Sequence, residues 1–255
     1  MNPWSLEAAR AVVTGASRGI GAAIVSEMLS LGASVPGVSR SREDLAQLQV
    51  ENASRDRLHI LSVDLTDASQ RSRVISEAQN RLGGIDVLVN NAGITFRAPA
   101  SEADVDQFHR VLDLNLIAAF DLSRLAYGAF RAAGRGNIIN ISSVAGVTTL
   151  PQRAFYGSSK AALNHLTQSL AAEWGRDGIR VNAVLPWFTR TPMAASVLAS
   201  DEWSRLIQEA TPLQRVAEPE DVAHGRFPLH AGIKLHYRSV ARRGRRLPGA
   251  RTLAE

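Results

Sequence analysis

Thr14-Gly15-Ala16-Ser17-Arg18-Gly19-Ile20-Gly21 follows directly on the apolar run Ala11-Val12-Val13 and leads into the amphipathic stretch Ala22–Leu31. Glycines at this spacing permit a tight turn, let the backbone approach a pyrophosphate and allow a helix to pack closely on a strand. The helix that follows presents unpaired N–H groups and the positive end of its dipole to the same place. An ordinary glycine-rich turn has similar spacing. Its position between a strand and a helix is what favours a nucleotide.

Outward from this turn, short β-branched runs alternate with longer helical patterns, the signature of βαβ units and a parallel sheet. The strand candidates are Ala11–Thr14, Ser34–Val38, His59–Val63, Val87–Asn90, Asn137–Ile141 and Arg180–Leu185. Amphipathic stretches at Ala22–Leu31, Ala68–Leu82, Val105–Ala126 and Ser158–Trp174 separate them. Six strands with intervening helices predict one α/β domain, a doubly wound parallel sheet of Rossmann-like design. Pro36 conflicts locally with an interior strand, because it has no N–H to give to the ladder. A bulge or a frayed pairing is expected there.

The chain has 255 residues and no Cys, so neither disulfides nor thiolate chemistry is available, which fits a reducing cytoplasm. Met1–Glu7 lacks the basic and apolar segments of a signal peptide, and no apolar run reaches the roughly 18 residues of a membrane span. The six His are scattered, which gives no support to a metal site. A net charge of +5 would ordinarily raise nucleic acid as a partner. However, His224–Glu255 holds seven Arg and one Lys against one Glu, a net of +7, so the rest of the chain is slightly acidic.

The choice of nucleotide falls after the second strand, where NAD sites place an acid on the ribose hydroxyls and a 2′-phosphate calls for arginine. The strand here ends Val38-Ser39-Arg40, and Arg18 sits in the glycine turn. Two guanidinium groups can flank one phosphate with charge-assisted hydrogen bonds. NADP(H) is therefore the expected cofactor.

In Tyr156-Gly157-Ser158-Ser159-Lys160, the phenol and the ammonium are four positions apart and share a helix face. A nearby cation favours the phenolate of a tyrosine, whose ordinary pKa is about 10, so the pair suits proton exchange with a carbonyl or alcohol oxygen. Ser142-Ser143 follows the strand Asn137–Ile141, at the sheet edge where open α/β folds bind ligands. A hydroxyl there can hydrogen-bond a substrate oxygen as charge develops on it.

Together, Thr14-Gly15-x-x-x-Gly19-x-Gly21, Asn90-Asn91-Ala92-Gly93, Asn115, Ser143 and Tyr156-x-x-x-Lys160 resemble the motif set of the short-chain dehydrogenase/reductase family, in order from about Trp4 to Ala223. The resemblance implies a general acid/base at Tyr156, a carbonyl-positioning hydroxyl at Ser143, and a Lys160 that acidifies the phenol and binds the nicotinamide ribose. It implies a relay water at Asn115. Gly15, Ser17, Arg18, Gly19, Ile20 and Gly21 would form the phosphate turn, with Ser39 and Arg40 at the ribose phosphate and Asp64 and Leu65 at the adenine. Asn91, Ala92 and Gly93 would line the cofactor cleft, and Thr189 and Thr191 would meet the carboxamide. Where Thr189 stands, the family usually has Ile or Val.

Pro186-Trp187-Phe188 replaces the family's usual Pro-Gly. With Trp4-Ser5-Leu6 and Glu173-Trp174, it is similar to the tropinone-reductase-like branch, which reduces ketones to secondary alcohols with NADPH. Alternatives sharing such a site are 3-oxoacyl carrier protein reductase, a sugar or steroid alcohol dehydrogenase, and an inactive nucleotide-binding product. Substrate contacts in such folds come from variable loops, here Thr95–Pro99, Val147–Ala154 and Met193–Gln208. The expected partner is a small ketone or alcohol, with neither nucleic acid nor membrane. A homodimer or homotetramer would form if the C-terminus were normal.

The resemblance stops after Glu218-Pro219-Glu220-Asp221-Val222-Ala223, dividing a catalytic domain at 1–223 from a basic tail at 224–255. The family continues with a turn resembling Ser-Tyr-Ile-Thr-Gly-Gln and a last strand ending Val-Asp-Gly-Gly. Back-translating Phe227–Val240 and reading one nucleotide later permits Ser-Tyr-Ile-Thr-Gly-Gln, and Arg243–Leu247 permits Val-Asp-Gly-Gly at the family's spacing. Degeneracy permits this reading without forcing it. We therefore expect translation out of frame from about His224, and a sheet without its normal last strand. An authentic tail for nucleic acid or anionic membrane is the weaker reading, since the positive charge lacks aromatic interleaving and helical amphipathicity.

Overall fold

The computed structural model describes residues 5–52 and 55–224. In chain order these form β1 (Ala11–Thr14), α1 (Gly19–Ser30), β2 (Val35–Ser39), α2 (Arg42–Glu51), β3 (Leu58–Ser62), α3 (Ala68–Leu82) and β4 (Val87–Asn90). There follow α4 (Val105–Leu112), a π-helical turn (Asp113–Ile117), α5 (Ala118–Ala133), β5 (Gly136–Ile141), α6 (Ala154–Trp174) and β6 (Ile179–Val184). Three short helices close the described chain: α7 (Ala195–Leu198), α8 (Asp201–Ala210) and α9 (Pro219–Ala223).

The six strands form one parallel sheet in the order β3-β2-β1-β4-β5-β6. Successive strand residues point to opposite faces. Accordingly Ala11, Val13, Val87, Val89 and Ile139 pack with α1, whereas Val12, Leu88, Ile138 and Val181 pack with α3, α5 and α6. Covering both faces explains why all six residues of β5 are buried and why the strands read as nearly continuous apolar runs. The chain turns back between β1 and β4, and there the order reverses to leave a crevice at the carboxyl edge of the sheet.

Pro36 leaves β2 an interior strand. Its β3 side pairs without a break from Val35 to Ser39, while the ladder to β1 is interrupted between the Arg10–Ser34 bridge and the Val13–Gly37 pair. The missing N–H is thus met by local fraying, and no bulge is needed. Beneath the carboxyl edge, the Asn90 amide donates to Ser123 Oγ (3.1 Å) and Asn140 Oδ1 (2.9 Å), and the Asn140 amide donates to Thr167 Oγ1 (2.8 Å). This buried polar chain joins β4 and β5 to the helices α5 and α6.

Among the described residues β6 pairs with β5 alone and borders the sheet. The expected break falls almost entirely on residues 225–255, which lie outside the described residues. Among the described residues no helix is long and apolar enough to cross a membrane.

Candidate active site

A cleft of about 860 Å³ runs along the carboxyl edge. At one end is the turn from β1 to α1. Gly15 adopts a φ of +62°, which a side chain would strain, and a Cβ on Gly21 would overlap the Gly15 carbonyl oxygen. Glycine is therefore required at both places, the second so that helix and strand can touch. No side chain caps the first turn of α1 and none of its residues is acidic, so its leading N–H groups face the cleft unneutralised. Thr14 Oγ1 accepts from the backbone N–H of Asn91 (2.9 Å) and Ala92 (3.0 Å), and the Asn91 amide donates to the carbonyls of Thr14 (2.9 Å) and Gly15 (3.1 Å). The ends of β1 and β4 are thereby locked together.

Ser39 Oγ donates to Ser17 Oγ at 2.9 Å, drawing the end of β2 to the glycine turn and bringing Arg18 and Arg40 to one side of the cleft. Both arginines are exposed. Asp64 and Leu65 line the same end, and Ile20, Ala92 and Gly93 lie further along. Thr191 leans over the turn, its methyl 3.1 Å from where a Cβ of Gly19 would sit, so the two walls of the cleft come close there. Thr189 stands beside it, buried, with its hydroxyl on the Trp187 carbonyl. These surfaces suit an extended, doubly anionic molecule.

At the other end, Ser143 follows β5, its Oγ accepting from the Ala145 N–H (3.1 Å), and lines the cleft together with Tyr156. Tyr156 lies in the first turn of α6, and Lys160 Nζ is 5.7 Å from its ring centroid. Burial holds the Tyr156 phenol above its ordinary pKa, against the opposing pull of the Ser143 hydrogen bond and the Arg153 charge. Lys160 is buried, donates to the Ile141 carbonyl at 2.8 Å, and is brought down from 10.5 to about 8 by desolvation.

Residues 9–202 match the model of the family described as short chain dehydrogenase. The chain belongs to the short-chain dehydrogenase family. A tropinone reductase homolog of Arabidopsis thaliana is 39% identical over 224 residues, covering 86% of this chain and 84% of that protein. One from Datura stramonium is 35% identical over 226 residues, covering 86% and 84%. These place the chain in the tropinone-reductase-like branch. Among solved structures, a gluconate 5-dehydrogenase from Burkholderia cenocepacia in complex with NADP and tartrate is 30% identical, covers 88% of each chain and has a TM-score of 0.82. A short-chain type dehydrogenase/reductase from Mycobacterium marinum is 31% identical, with 87% coverage of each chain and a TM-score of 0.81.

In this short-chain dehydrogenase, two of the expected residues stand behind the cleft wall. Gly21 serves the packing just described. Asn115 is buried in the π-helical turn, where its amide donates to the Ile94 carbonyl (3.0 Å) and to Ser159 Oγ (3.0 Å), while its Oδ1 accepts from the Ile94 N–H (2.8 Å). Its side chain therefore joins the loop after β4 to α6, and holds both beside Gly93 and Lys160. Such one-residue insertions into a helix recur at functional sites.

Sequence reasoning marked the loop Val147–Ala154 without singling out Arg153. That residue lines the cleft three positions before Tyr156, half-buried, and donates through Nη1 to Thr95 Oγ1 at 2.7 Å. A lone arginine in a polar loop reads as a solvated charge. Its electrostatic reach to the phenol is visible once the fold is formed.

Proposed function

We propose that this short-chain dehydrogenase is an NADP(H)-dependent oxidoreductase that interconverts a ketone and a secondary alcohol. The observation that carries the reading is the convergence of Ser143, Tyr156 and a buried Lys160 one helical turn on, in the cleft that begins at the glycine turn. The cleft fits the cofactor: bare N–H groups of α1 meet the pyrophosphate, Arg18 and Arg40 take the ribose phosphate, and Asp64 and Leu65 border the adenine. Asn91, Ala92, Gly93, Thr189 and Thr191 complete the nicotinamide end.

The bound cofactor supplies or accepts the hydride. Ser143 orients the substrate oxygen and stabilises the charge that grows on it. Tyr156 keeps its proton at neutral pH because burial disfavours its phenolate, and so it serves as the acid in reduction. In oxidation the positive charges of Arg153 and Lys160 favour the phenolate that receives the proton. Lys160 holds the nicotinamide ribose, and Asn115 keeps α6 in place beside it.

NADPH oxidation by the purified chain with a panel of cyclic and acyclic ketones tests the reading. Turnover is expected to vanish in Tyr156→Phe while NADPH fluorescence still reports binding. Undiminished turnover in that variant would refute the assignment.

A further inference from the structure

Elsewhere in this fold the buried Arg71 and the partly buried Arg10 are paired with carboxylates. Arg71 reaches the Leu65 carbonyl, Asp113 and Asp121, and Arg10 holds Asp86 at 2.7 Å. Arg153 is different. Among the described residues no carboxylate is in ion-pair range of Arg153 or of Arg97. One N–H of the Arg153 fork is spent on Thr95, and the fork has five to give. Burial and the nearby Arg97 charge both act against its cationic form, and the Tyr156 phenol acts for it. Arg97 is itself fixed at the rim, donating to Gln152 Oε1 at 2.8 Å and lying 5.7 Å over the Trp203 ring.

A half-buried guanidinium that lines a cleft without a counter-ion is unfavourable unless a ligand supplies the negative charge. The acids that line the cleft, Asp44 and Asp64, follow β2 and β3 at the far side of the sheet. A planar carboxylate matches the fork that Arg153 offers. We infer that the substrate is a keto carboxylate (or the corresponding hydroxy carboxylate) whose anionic group binds Arg153, with Arg97 adding positive potential at the rim, while its carbonyl oxygen lies between Ser143 and Tyr156. This deepens the ketone-reductase reading and rests on it for the redox step.

The test compares pyruvate, acetoacetate and levulinate with their methyl esters, which set the carboxylate at three distances from the carbonyl. Steady-state kcat/KM with NADPH is measured for the wild type, Arg153→Met and Arg153→Lys. The wild type should prefer at least one acid over its ester. Arg153→Met should lower that acid-to-ester ratio roughly 10- to 100-fold, as loss of a charged hydrogen-bond partner does, and Arg153→Lys should restore part of it. Calorimetric binding of the same acids and esters in the presence of NADP⁺ separates the two readings. Acid binding that Arg153→Met abolishes, without turnover, upholds the anion site and refutes the reductase. Turnover with an acid-to-ester ratio that Arg153→Met leaves unchanged upholds the reductase and overturns the anion site. Equal binding of acids and esters, or binding of neither, also overturns it.

Discussion

Replacing Lys160 by Met removes a charge that the fold holds out of water, and the effect of doing so depends on pH in a defined direction. Burial lowers the lysine from 10.5 to about 8, so between those values the unfolded chain carries a proton that the folded chain has released. The cost of the buried ammonium is thus fully present below pH 8 and is relieved as the pH rises towards 10.5. A shift of this size corresponds to about 3 kcal/mol, most of which is relieved between pH 7 and pH 10. Loss of the hydrogen bond to the Ile141 carbonyl adds an offset that varies little with pH. Urea unfolding of both cofactor-free proteins at pH 7, 8.5 and 10 gives the difference directly. Wild-type stability relative to Lys160→Met should climb by roughly 2 to 3 kcal/mol across that range. A difference that stays level, or falls, would show that the ammonium is not disfavoured where it lies.

Gly21→Ala places a methyl on the Gly15 carbonyl, where the backbone has little room to yield. Destabilisation of about 3 kcal/mol, at the upper end for overpacking, should accompany loss of NADPH binding, read by denaturant midpoint and fluorescence titration. Ala at Arg18 or Arg40 should weaken NADPH by roughly 10- to 100-fold while sparing NADH, a comparison of two KM values that would contradict the phosphate role if both moved together. For the segment after Ala223 we propose a lost reading frame. Sequencing the coding DNA should reveal a single shift restoring Thr-Gly-Gln followed by Val-Asp-Gly-Gly, and its absence would support a genuine basic tail.

Much of the fold is legible because the strands are buried on both sides, which makes Ala11–Thr14 and Val87–Asn90 apolar and turn-bounded at their correct places. The helix Arg42–Glu51 is not, since it buries just Leu45 and Leu48, is otherwise mostly polar and leaves its Val50 exposed. Its start was still written locally, in Ser41, whose hydroxyl accepts from the Asp44 N–H at 3.1 Å. In the other four strands an end drifts by one residue, at Ser34, Leu58, Gly136 and Ile179, where pairing and not composition sets the limit. At the site, Tyr156, Lys160 and Ser143 were legible from spacing plus position at the sheet edge. The enclosure of Asn115 was not. An added residue in a helix leaves the hydrophobic periodicity on either side intact, and the partners Ile94 and Ser159 are far away in the chain.

That added residue has a second consequence. A regular helix advances about 100° per residue, so winding Asp113–Ile117 as ordinary α-helix with every residue kept would swing everything downstream by about that angle. Leu122, Ala126 and Phe130, now seated against the sheet, would rotate away from it. The wide turn thus acts as a phase adjuster: it lets one continuous rod present an amide inward at the chemistry and still arrive in step with the oily stripe beyond.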